Sequence, residues 1–478
     1  MKLVLRPDNG GIAACTNSAL AAATGEFVAF LDQDDMLGEQ ALLRMAEAIN
    51  RHPGAQVFYS DEDKLDEASV RHSPHFKPDW NPEWAKTTNY VLHLCVMARA
   101  AVVAAGGLDS KVDGAQDWDL LLRVAEQVGH EAIIHVPRVL YHWREGRNST
   151  ASGVYQKSGI SGAQQRVIET MLARRQIPAT AALELSGWRI RYSVPDPAPL
   201  VSIVIPTRDH GELLKRCTDS LFALTAYPAF EIVLVDHETT ERIARETIAR
   251  LVRDKGVTVV PFTGAFNYAA ECNLGVDRAR GSIIVLMNND VEVISPHWLD
   301  ELVGRALQPG VGLVAPMLLY PDRTIQHAGV ILGVNGSADR PYIGYKRGYG
   351  GIAGRAQAAQ NVTALITACA AIRRDLYKQV GGMDESLAIS HNDLDLCLRL
   401  LDRGYRNVWT PYAELVHHES ASRGYDNSPA QQRQADAESA RFRARWGDAS
   451  RIDPNYNVNL AAEGQLFALA FPPRHAQS

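Results

Sequence analysis

The chain contains the same short pattern twice, an apolar run that leads into amides and carboxylates. Residues 283–287 read IIVLM and lead into Asp290, and residues 27–31 read FVAFL and lead into Asp34. Five apolar residues in succession are typical of a buried parallel strand. Because ligands of open α/β sheets bind outside the carboxyl ends of the strands, Asp290 is expected where a ligand or metal would bind. The alternative is that these polar residues only begin the surface loop that follows the strand.

Further residues repeat in the same order along the chain. The repeated pairs are Asn17 and Asn273, Gly107 and Gly382, Asp117 and Asp393, and His142 and His418. Self-similarity of this kind predicts repeated structural units, so two domains of one kind account for most of the chain. We expect the first domain at residues 1–150, a helical and proline-rich linker at 151–198, the second domain at 199–450 and a tail at 451–478.

The composition excludes several classes of protein. A net charge of −6 over 478 residues is unlike that of a polyanion-binding protein, so nucleic acid is not the expected partner. The six cysteines are scattered without a CxxC motif, which indicates reduced thiols in a cytoplasmic protein. No apolar run reaches the roughly 18 residues that a membrane-spanning helix needs.

Strands and helices alternate regularly in the second domain, which predicts an α/β fold with a parallel sheet. The strand at 201–205 leads into Pro206 and Thr207, the next strand ends at Asp236, and the strand at 283–287 leads into Asp290. Parallel strands place their carboxyl ends at one edge of the sheet. We therefore expect these polar residues to lie together.

A predicted helix near residue 392 carries two carboxylates. Asp395 and Arg399 are four residues apart and can pair on one helix face, which is a sufficient structural role for Asp395. Asp393 lies in the first turn, where the helix dipole favours a carboxylate that can also face a ligand. The adjacent His417 and His418, which follow a short strand, are either structural or ligands.

Three other segments leave alternatives open. The acidic residues at 60–64 are read as a solvated turn, with a metal-binding loop as the alternative. The tryptophans within 78–84 either stack on a sugar ring or form local core. Residues 339–360, rich in Gly, Arg and Tyr, are expected to form a mobile loop over an active site or plain surface. Residues 3–5 are predicted to form a short strand.

Together these motifs resemble the inverting glycosyltransferases of family 2, which have the GT-A fold. Residues 201–207 are similar to the first strand of that family, and Asp236 is similar to its base-recognising aspartate. Residues 288–290 and 32–34 occupy the position of the family's DxD motif. Tandem versions look most like bacterial enzymes that build O-antigen or other rhamnose-rich surface polysaccharide, so we expect two GT-A-type domains.

The resemblance implies a role for each motif. The implied catalytic bases are Asp393 and Asp117. The implied donor-nucleotide contacts are Pro206, Thr207, Asp236, Asn267 and Asn288. The implied ligands of a divalent metal, Mn²⁺ or Mg²⁺, are Asp290, His417, His418, Asp32, Asp34 and His142. The implied substrates are a nucleoside-diphosphate sugar of the UDP or dTDP type and a glycan or lipid-linked glycan acceptor. A lipid-linked acceptor implies peripheral association with the inner face of the cytoplasmic membrane.

The sequence also departs from the family pattern. Asn288 stands where the family often has aspartate, and both catalytic aspartates lack the acidic residue that usually precedes them. The first domain begins at what resembles the third strand of the family, without the two strands that carry the base and ribose contacts. We therefore expect that the first domain does not bind a nucleotide sugar in the usual way.

Two other functions are compatible with an α/β protein that binds nucleotides or glycans. A nucleotidyltransferase would need a Gly-rich basic loop directly after the first strand, and residues 207–211 (TRDHG) match that pattern poorly. A non-catalytic glycan-binding scaffold would need neither a base nor a metal ligand. The intact set Asp236, Asp290, Asp393 and His418 favours a transferase for the second domain.

Overall fold

The structure is a computed structural model that describes residues 2–145, 160–184, 186–418 and 428–474. Contacts divide the chain into two units: Met1–Ile190 with Pro454–Ala461 and Phe467–Ser478, and Arg191–Asp453 with Ala462–Leu466. Part of the expected linker, residues 151–159, lies outside the described residues, and the domain boundaries given above stay a prediction.

The first unit is built on a six-stranded mixed sheet. Its strands are β1 (Phe27–Ala29), β2 (Met36–Leu37), β3 (Val57–Leu65), β4 (Arg71–His75), β5 (Cys95–Ala98) and β6 (Ile133–Arg144). The order is β1-β5-β3-β6-β2, with β4 paired to β3. Its helices are α1 (Gly11–Ala22), α2 (Ala41–Arg51), α3 (Pro82–Ala85), α4 (Arg99–Ala104), α5 (Gln116–Val128) and α6 (Ile160–Arg174). A separate pair of strands follows, β7 (Ala179–Glu184) and β8 (Gly187–Tyr192).

The second unit contains a ten-stranded mixed sheet. Its strands are β9 (Val201–Thr207), β10 (Phe230–His237), β11 (Thr258–Phe262), β12 (Ile283–Met287), β13 (Val291–Val293), β14 (Val311–Leu319), β15 (Ile325–His327), β18 (Gln360–Val362), β19 (Cys369–Arg373) and β20 (Arg406–His417), while β16 (Ile331–Leu332) and β17 (Ala338–Asp339) pair separately. The order is β11-β10-β9-β12-β19-β14-β20-β13, with β15 on β14 and β18 on β20.

The described residues of this unit include seven α-helices, and α7, α8 and α9 alternate with strands β9 to β12 as the sequence predicts. They are α7 (Gly211–Leu224), α8 (Arg242–Lys255), α9 (Tyr268–Arg278), α10 (Trp298–Ala306), α11 (Arg374–Gln379), α12 (Asn392–Asp402) and α13 (Pro429–Trp446). Strands β11, β10, β9 and β12 are mutually parallel, and β12 is buried along its whole length between β9 and β19. The predicted α/β class is confirmed. None of the helices in the described ranges is both long and apolar enough to cross a membrane.

The two sheets share one strand order. In the first unit β1-β5-β3-β6-β2 repeats the arrangement of β12-β19-β14-β20-β13 in the second. Strand directions agree as well, because β1–β5 and β12–β19 are antiparallel while β3–β6 and β14–β20 are parallel. The repeat read from the sequence is therefore a repeat of topology.

The Asn273 side-chain amide explains why Asn and the second glycine of the Gly-Gly pair recur together. Asn273 Nδ2 donates to the Met383 carbonyl (2.9 Å), and its Oδ1 accepts from the Met383 N–H (2.9 Å). A Cβ atom on Gly382 would lie 2.5 Å from Asn273 Oδ1, and Gly382 has a φ of +69°. Only glycine fits this turn without strain. In the first unit Asn17 makes the same two bonds to Leu108.

Two local predictions for the first unit are wrong. Residues 3–5 form no strand, and Leu3 and Leu5 are exposed. Strand β11 of the second unit pairs with β10, whereas the described residues of the first unit include no counterpart of β10 that residues 3–5 could pair with. Residues 60–64 are not a solvated turn but part of β3.

The acidic side chains of β3 are buried because each has a polar or cationic partner. Asp61 contacts His135 Nε2 (2.9 Å), Glu62 contacts the buried Lys77 Nζ (3.3 Å), and Asp63 contacts Arg71 Nε (2.6 Å). All three partners lie outside residues 60–64, and His135 is 74 residues from Asp61, so the segment looks like a turn when it is read alone. Burial of a charged group is tolerated when it is paired in this way.

Candidate active site

Polar side chains at three strand ends of the second unit meet at one edge of the sheet, as the sequence predicts. In the β9–β10 ladder Thr207 pairs with Asp236, and Pro206 pairs with Val235. Asn289, the second residue after β12, donates from Nδ2 to Thr207 Oγ1 (3.0 Å), and both side chains are buried. The sheet thus brings the ends of β9, β10 and β12 together.

Asp236 and Asn267 differ in how they are held. Asp236 is half-buried, and its Oδ1 accepts from the Thr239 N–H (3.2 Å). Asn267 caps α9: its Oδ1 accepts from the Ala270 N–H (3.0 Å), and its Nδ2 donates to the Glu385 carbonyl (2.9 Å). Asn267 therefore fixes the start of α9, which is a structural role in itself.

The central contact of the site joins Asp290 to His417. Asp290 Oδ1 lies 3.2 Å from His417 Nε2, and both side chains are buried. Asn288 Nδ2 lies 3.5 Å from the same imidazole nitrogen. On the other side of the ring, His417 Nδ1 lies 2.8 Å from Gln326 Oε1. The antiparallel pairing of β13 with β20 positions His417, because Val291 is opposite it in the ladder.

His418 is directed elsewhere. Its backbone N–H donates to the Asp290 carbonyl (3.0 Å), but its Nε2 lies 2.9 Å from Glu292 Oε2. The Arg216 guanidinium lies 3.5 Å from the His418 ring nitrogens. The structure therefore brings His417, and not the His418 side chain, to the Asp290 carboxylate.

Asp393 lies in the first turn of α12, as predicted. Its Oδ1 accepts from the Leu394 N–H (2.8 Å). Burial raises the pKa of Asp393 to about 6, while this hydrogen bond and the Arg340 charge oppose the rise. A carboxylate with such a pKa is ionised at neutral pH and is a stronger base than an ordinary aspartate.

Asp395 has the structural role that its spacing predicts. Its Oδ2 accepts from Arg399 Nε (2.7 Å), and its Oδ1 accepts from Trp446 Nε1 (2.9 Å). Arg399 in turn donates to the Val380 carbonyl next to the repeated glycines (2.6 Å). In the first unit Asp119 and Arg123 form the same pair.

The corresponding residues of the first unit are arranged differently. Asp32 and Asp34 are exposed, and Asp32 lies 4.0 Å from His93. Asp117 accepts from Asn89 Nδ2 (2.8 Å). His142 Nδ1 contacts Asp63 Oδ1, whose carboxylate also pairs with Arg71. The His142 imidazole thus contacts a carboxylate of β3 rather than Asp32 or Asp34 after β1.

No group of three or more His, Cys, Asp and Glu side chains with metal-binding geometry occurs among the described residues. The sequence did not indicate Gln326, whose amide oxygen contacts His417 Nδ1. The only sequence signal for Gln326 is the pair of polar residues, Gln326 and His327, within an otherwise apolar stretch.

The two segments with alternative readings are also placed. Trp84 is buried and stacks on Tyr90 with 4.4 Å between ring centroids, so it is local core. The segment at 339–360 is tied to β15, because the Ile325 N–H donates to the Tyr345 carbonyl (2.7 Å). Arg347 of the same segment pairs with Glu414 of β20 (2.7 Å).

Comparison with known proteins identifies the family of the chain. The sequence matches the family described as "Glycosyl transferase family 2" at residues 1–102 and 202–381, one match in each unit. An uncharacterized protein of Sinorhizobium fredii, y4gI, is 40% identical over 477 residues, which cover 99% of this chain and 52% of that protein. The O-antigen biosynthesis protein RfbC of Myxococcus xanthus is 36% identical over 471 residues, covering 96% of this chain and 36% of RfbC.

A further relative covers about half of the chain. It is the N-acetylglucosaminyl-diphospho-decaprenol L-rhamnosyltransferase of Mycobacterium tuberculosis, 26% identical over 248 residues, which are 48% of this chain and 78% of that enzyme. The chain spans about half the length of y4gI and about a third of RfbC. The family profile and the repeated α/β units place the chain in glycosyl transferase family 2.

Proposed function

We propose that the second unit transfers a sugar, with inversion, from a nucleoside-diphosphate donor to an acceptor glycan of a bacterial surface polysaccharide. The observation that carries the proposal is the contact between Asp290 and His417 at the sheet edge shared with Thr207 and Asp236. That edge is where ligands of α/β sheets bind. Family membership supplies the reaction class.

Asp393 is the proposed base. It would take the proton from an acceptor hydroxyl as that oxygen attacks the anomeric carbon of the donor. The bond from this carbon to the diphosphate oxygen breaks, and its electron pair leaves with the nucleoside diphosphate. One displacement inverts the anomeric configuration. The raised pKa of Asp393 supports the role, because a base works best when its pKa lies near the working pH.

Asp290 and His417 are the proposed ligands of a divalent metal, Mg²⁺ or Mn²⁺. A carboxylate oxygen and an imidazole nitrogen 3.2 Å apart fit such an ion, which often takes only one or two protein ligands beside phosphate oxygens and water. When bound, the metal would neutralise charge on the departing diphosphate. Asn288 lies close to His417 and can contact the same diphosphate.

Asp236 is the proposed contact to the nucleobase. A carboxylate accepts a hydrogen bond from the imide N–H of uracil or thymine, which supports a UDP or dTDP donor. RfbC is named for O-antigen biosynthesis, and the mycobacterial relative is named as a rhamnosyltransferase acting on a polyprenyl-diphosphate-linked sugar. We extend these two names to this chain. We propose that its acceptor is a lipid-linked glycan, which it meets in the cytoplasm at the inner face of the membrane.

Catalysis is assigned to the second unit alone. There Asp290 and His417 are in contact, whereas in the first unit Asp63 holds His142. Asp117 is further engaged by Asn89. These contacts engage the residues that correspond to the proposed metal ligand and base, which favours a non-catalytic role for the first unit.

The test compares Asp393→Ala with Asp117→Ala in the full chain. The assay supplies a panel of UDP- and dTDP-sugars, a polyprenyl-diphosphate-linked N-acetylglucosamine acceptor and Mn²⁺, and the product is analysed by NMR for its anomeric configuration. We expect Asp393→Ala to lose turnover by about 10²-fold or more while it keeps donor affinity, and Asp117→Ala to retain turnover. Equal loss in both variants, or a retained configuration, would contradict the proposal.

A further inference from the structure

Gln326 is a fully buried amide that the sheet positions beside His417. It lies in β15, which is antiparallel to β14 through the pair Leu318 and His327. Strand β14 is in turn parallel to β20, with Leu319 opposite Val416. The central strand β14 therefore carries β15 on one side and β20 on the other, and the Gln326 side chain reaches the last residue of β20.

Two hydrogen bonds fix the orientation of this amide. Gln326 Nε2 donates to the backbone carbonyl of His417 (3.2 Å), and a carbonyl can only accept. The other end of the amide, Oε1, is therefore the atom that faces His417 Nδ1 (2.8 Å). Because Oε1 can only accept, Nδ1 must carry a proton.

This protonation state decides the character of the opposite ring nitrogen. A neutral imidazole with its proton on Nδ1 has a lone pair on Nε2. That lone pair lies 3.2 Å from Asp290 Oδ1, and Asn288 Nδ2, a donor, lies 3.5 Å from it. A carboxylate oxygen and an imidazole lone pair that face each other in a buried site form a suitable pair of ligands for a divalent cation.

We propose that Gln326 is a positioning residue that holds His417 as the Nδ1–H tautomer, so that Nε2 and Asp290 Oδ1 bind the metal as a pair. The assignment of a metal rests on the proposed function; the effect of Gln326 on the tautomer does not. In the first unit the corresponding histidine, His142, has a different partner. There a carboxylate, Asp63, holds His142 Nδ1 and is itself paired with Arg71.

The neighbouring His418 supplies the matched control. Its Nε2 is held by Glu292, so Glu292→Gln alters the partner of the adjacent histidine without touching the proposed pair. Gln326→Met keeps the approximate size of the side chain but has no acceptor oxygen. Gln326→Glu keeps an oxygen that can accept from Nδ1. Far-UV circular dichroism and the thermal midpoint show whether each variant is folded.

The first readout is the ¹⁵N NMR spectrum of histidine-labelled, metal-free full chain, with the His417 signals assigned from the His417→Gln variant. We expect the Nδ1–H tautomer in the native chain, in Gln326→Glu and in Glu292→Gln, and a mixed or Nε2–H population in Gln326→Met. An unchanged Nδ1–H tautomer in a folded Gln326→Met variant would overturn the proposal.

The second readout is Mn²⁺ affinity, measured by the electron paramagnetic resonance signal of free Mn²⁺, alone and with UDP or dTDP. We expect Gln326→Met to weaken binding by about 10- to 100-fold, as loss of a partner that orients a metal ligand commonly does. Gln326→Glu and Glu292→Gln should stay within about threefold of the native affinity. Mn²⁺ binding that is lost in Asp290→Asn but unchanged in Gln326→Met would overturn the inference and leave the proposed function intact.

A native chain that binds no Mn²⁺ under any of these conditions would overturn the metal assignment of the proposed function. The tautomer experiment would then still decide whether Gln326 controls His417. The two failures are thus distinguishable in one set of variants.

Discussion

His417 Nε2 lies 3.2 Å from Asp290 Oδ1, although the two residues are far apart in the sequence. The contact forms because β13, directly after Asp290, pairs antiparallel with the end of β20. It places one nitrogen and one carboxylate oxygen at the edge of the sheet where β9, β10 and β12 end. The proposed metal site follows from this relationship.

The adjacent histidines should respond differently to the same substitution. His417→Gln removes the Nε2 atom next to Asp290, so we expect Mn²⁺-dependent nucleotide affinity to fall by about tenfold or more. His418→Gln changes a side chain that contacts Glu292 and should leave that affinity within about threefold. Calorimetric titration of both variants with UDP and dTDP in Mn²⁺ makes the comparison. A larger loss of affinity in His418→Gln than in His417→Gln would contradict the assignment of His417 as the metal ligand.

The pH dependence of turnover should report Asp393. Because burial raises the pKa of Asp393 to about 6, turnover should rise with pH through about 6 and level off above it, as the base loses its proton. The Arg340 charge lowers this pKa, so Arg340→Met should move the rise to higher pH, while Arg340→Lys keeps the charge and should not. A pH profile that is the same in both variants would show that another group sets the rise.

The same buried carboxylate should reduce stability. The folded pKa of Asp393 lies above its ordinary value of 3.8, so ionisation disfavours the fold. The loss begins as pH rises past about 4 and is complete above about 6. Asp393→Asn should therefore raise the free energy of unfolding at pH 8, by at most about 3 kcal/mol, with no gain near pH 4. Chemical denaturation at both pH values measures the difference, and a variant that is less stable at pH 8 would contradict this prediction.

Asp395 should be a stability residue and not a catalytic one. Its carboxylate is buried between Arg399 and Trp446, so Asp395→Ala leaves the buried Arg399 without its carboxylate. We expect a loss of about 3–5 kcal/mol in the free energy of unfolding, as is usual when one partner of a buried ion pair is removed. The corresponding Asp119→Ala in the first unit is the matched variant. A stable Asp395→Ala protein that had lost turnover would contradict the structural role.

Much of the fold could be predicted because its signals are local. The apolar run of β12 repeats in the first unit, as does the order of Asn273 and Gly382 in Asn17 and Gly107. The two sheets share one strand order. Partners brought in by long-range pairing could not be predicted. Gln326 and His417 are 91 residues apart, and the carboxylates of β3 are paired with residues from other segments.

The residues of the candidate site also include some that the sequence predicts and some that it does not. The sequence places Thr207, Asp236 and Asp290 at strand ends, and the structure brings those ends together. The sequence alone does not distinguish His417 from His418. Only the alternation of side chains along β20 and the position of β15 decide which ring reaches Asp290. Roles for these residues stay predictions until they are measured.

The most direct test of the central claim is a calorimetric titration of the full chain with UDP and dTDP, with and without Mn²⁺, in the native protein and in Asp290→Asn. We expect metal-dependent binding at one site per chain, lost in Asp290→Asn, where an amide replaces the carboxylate at nearly the same size. Binding of equal strength without Mn²⁺, or binding that survives Asp290→Asn, would contradict it.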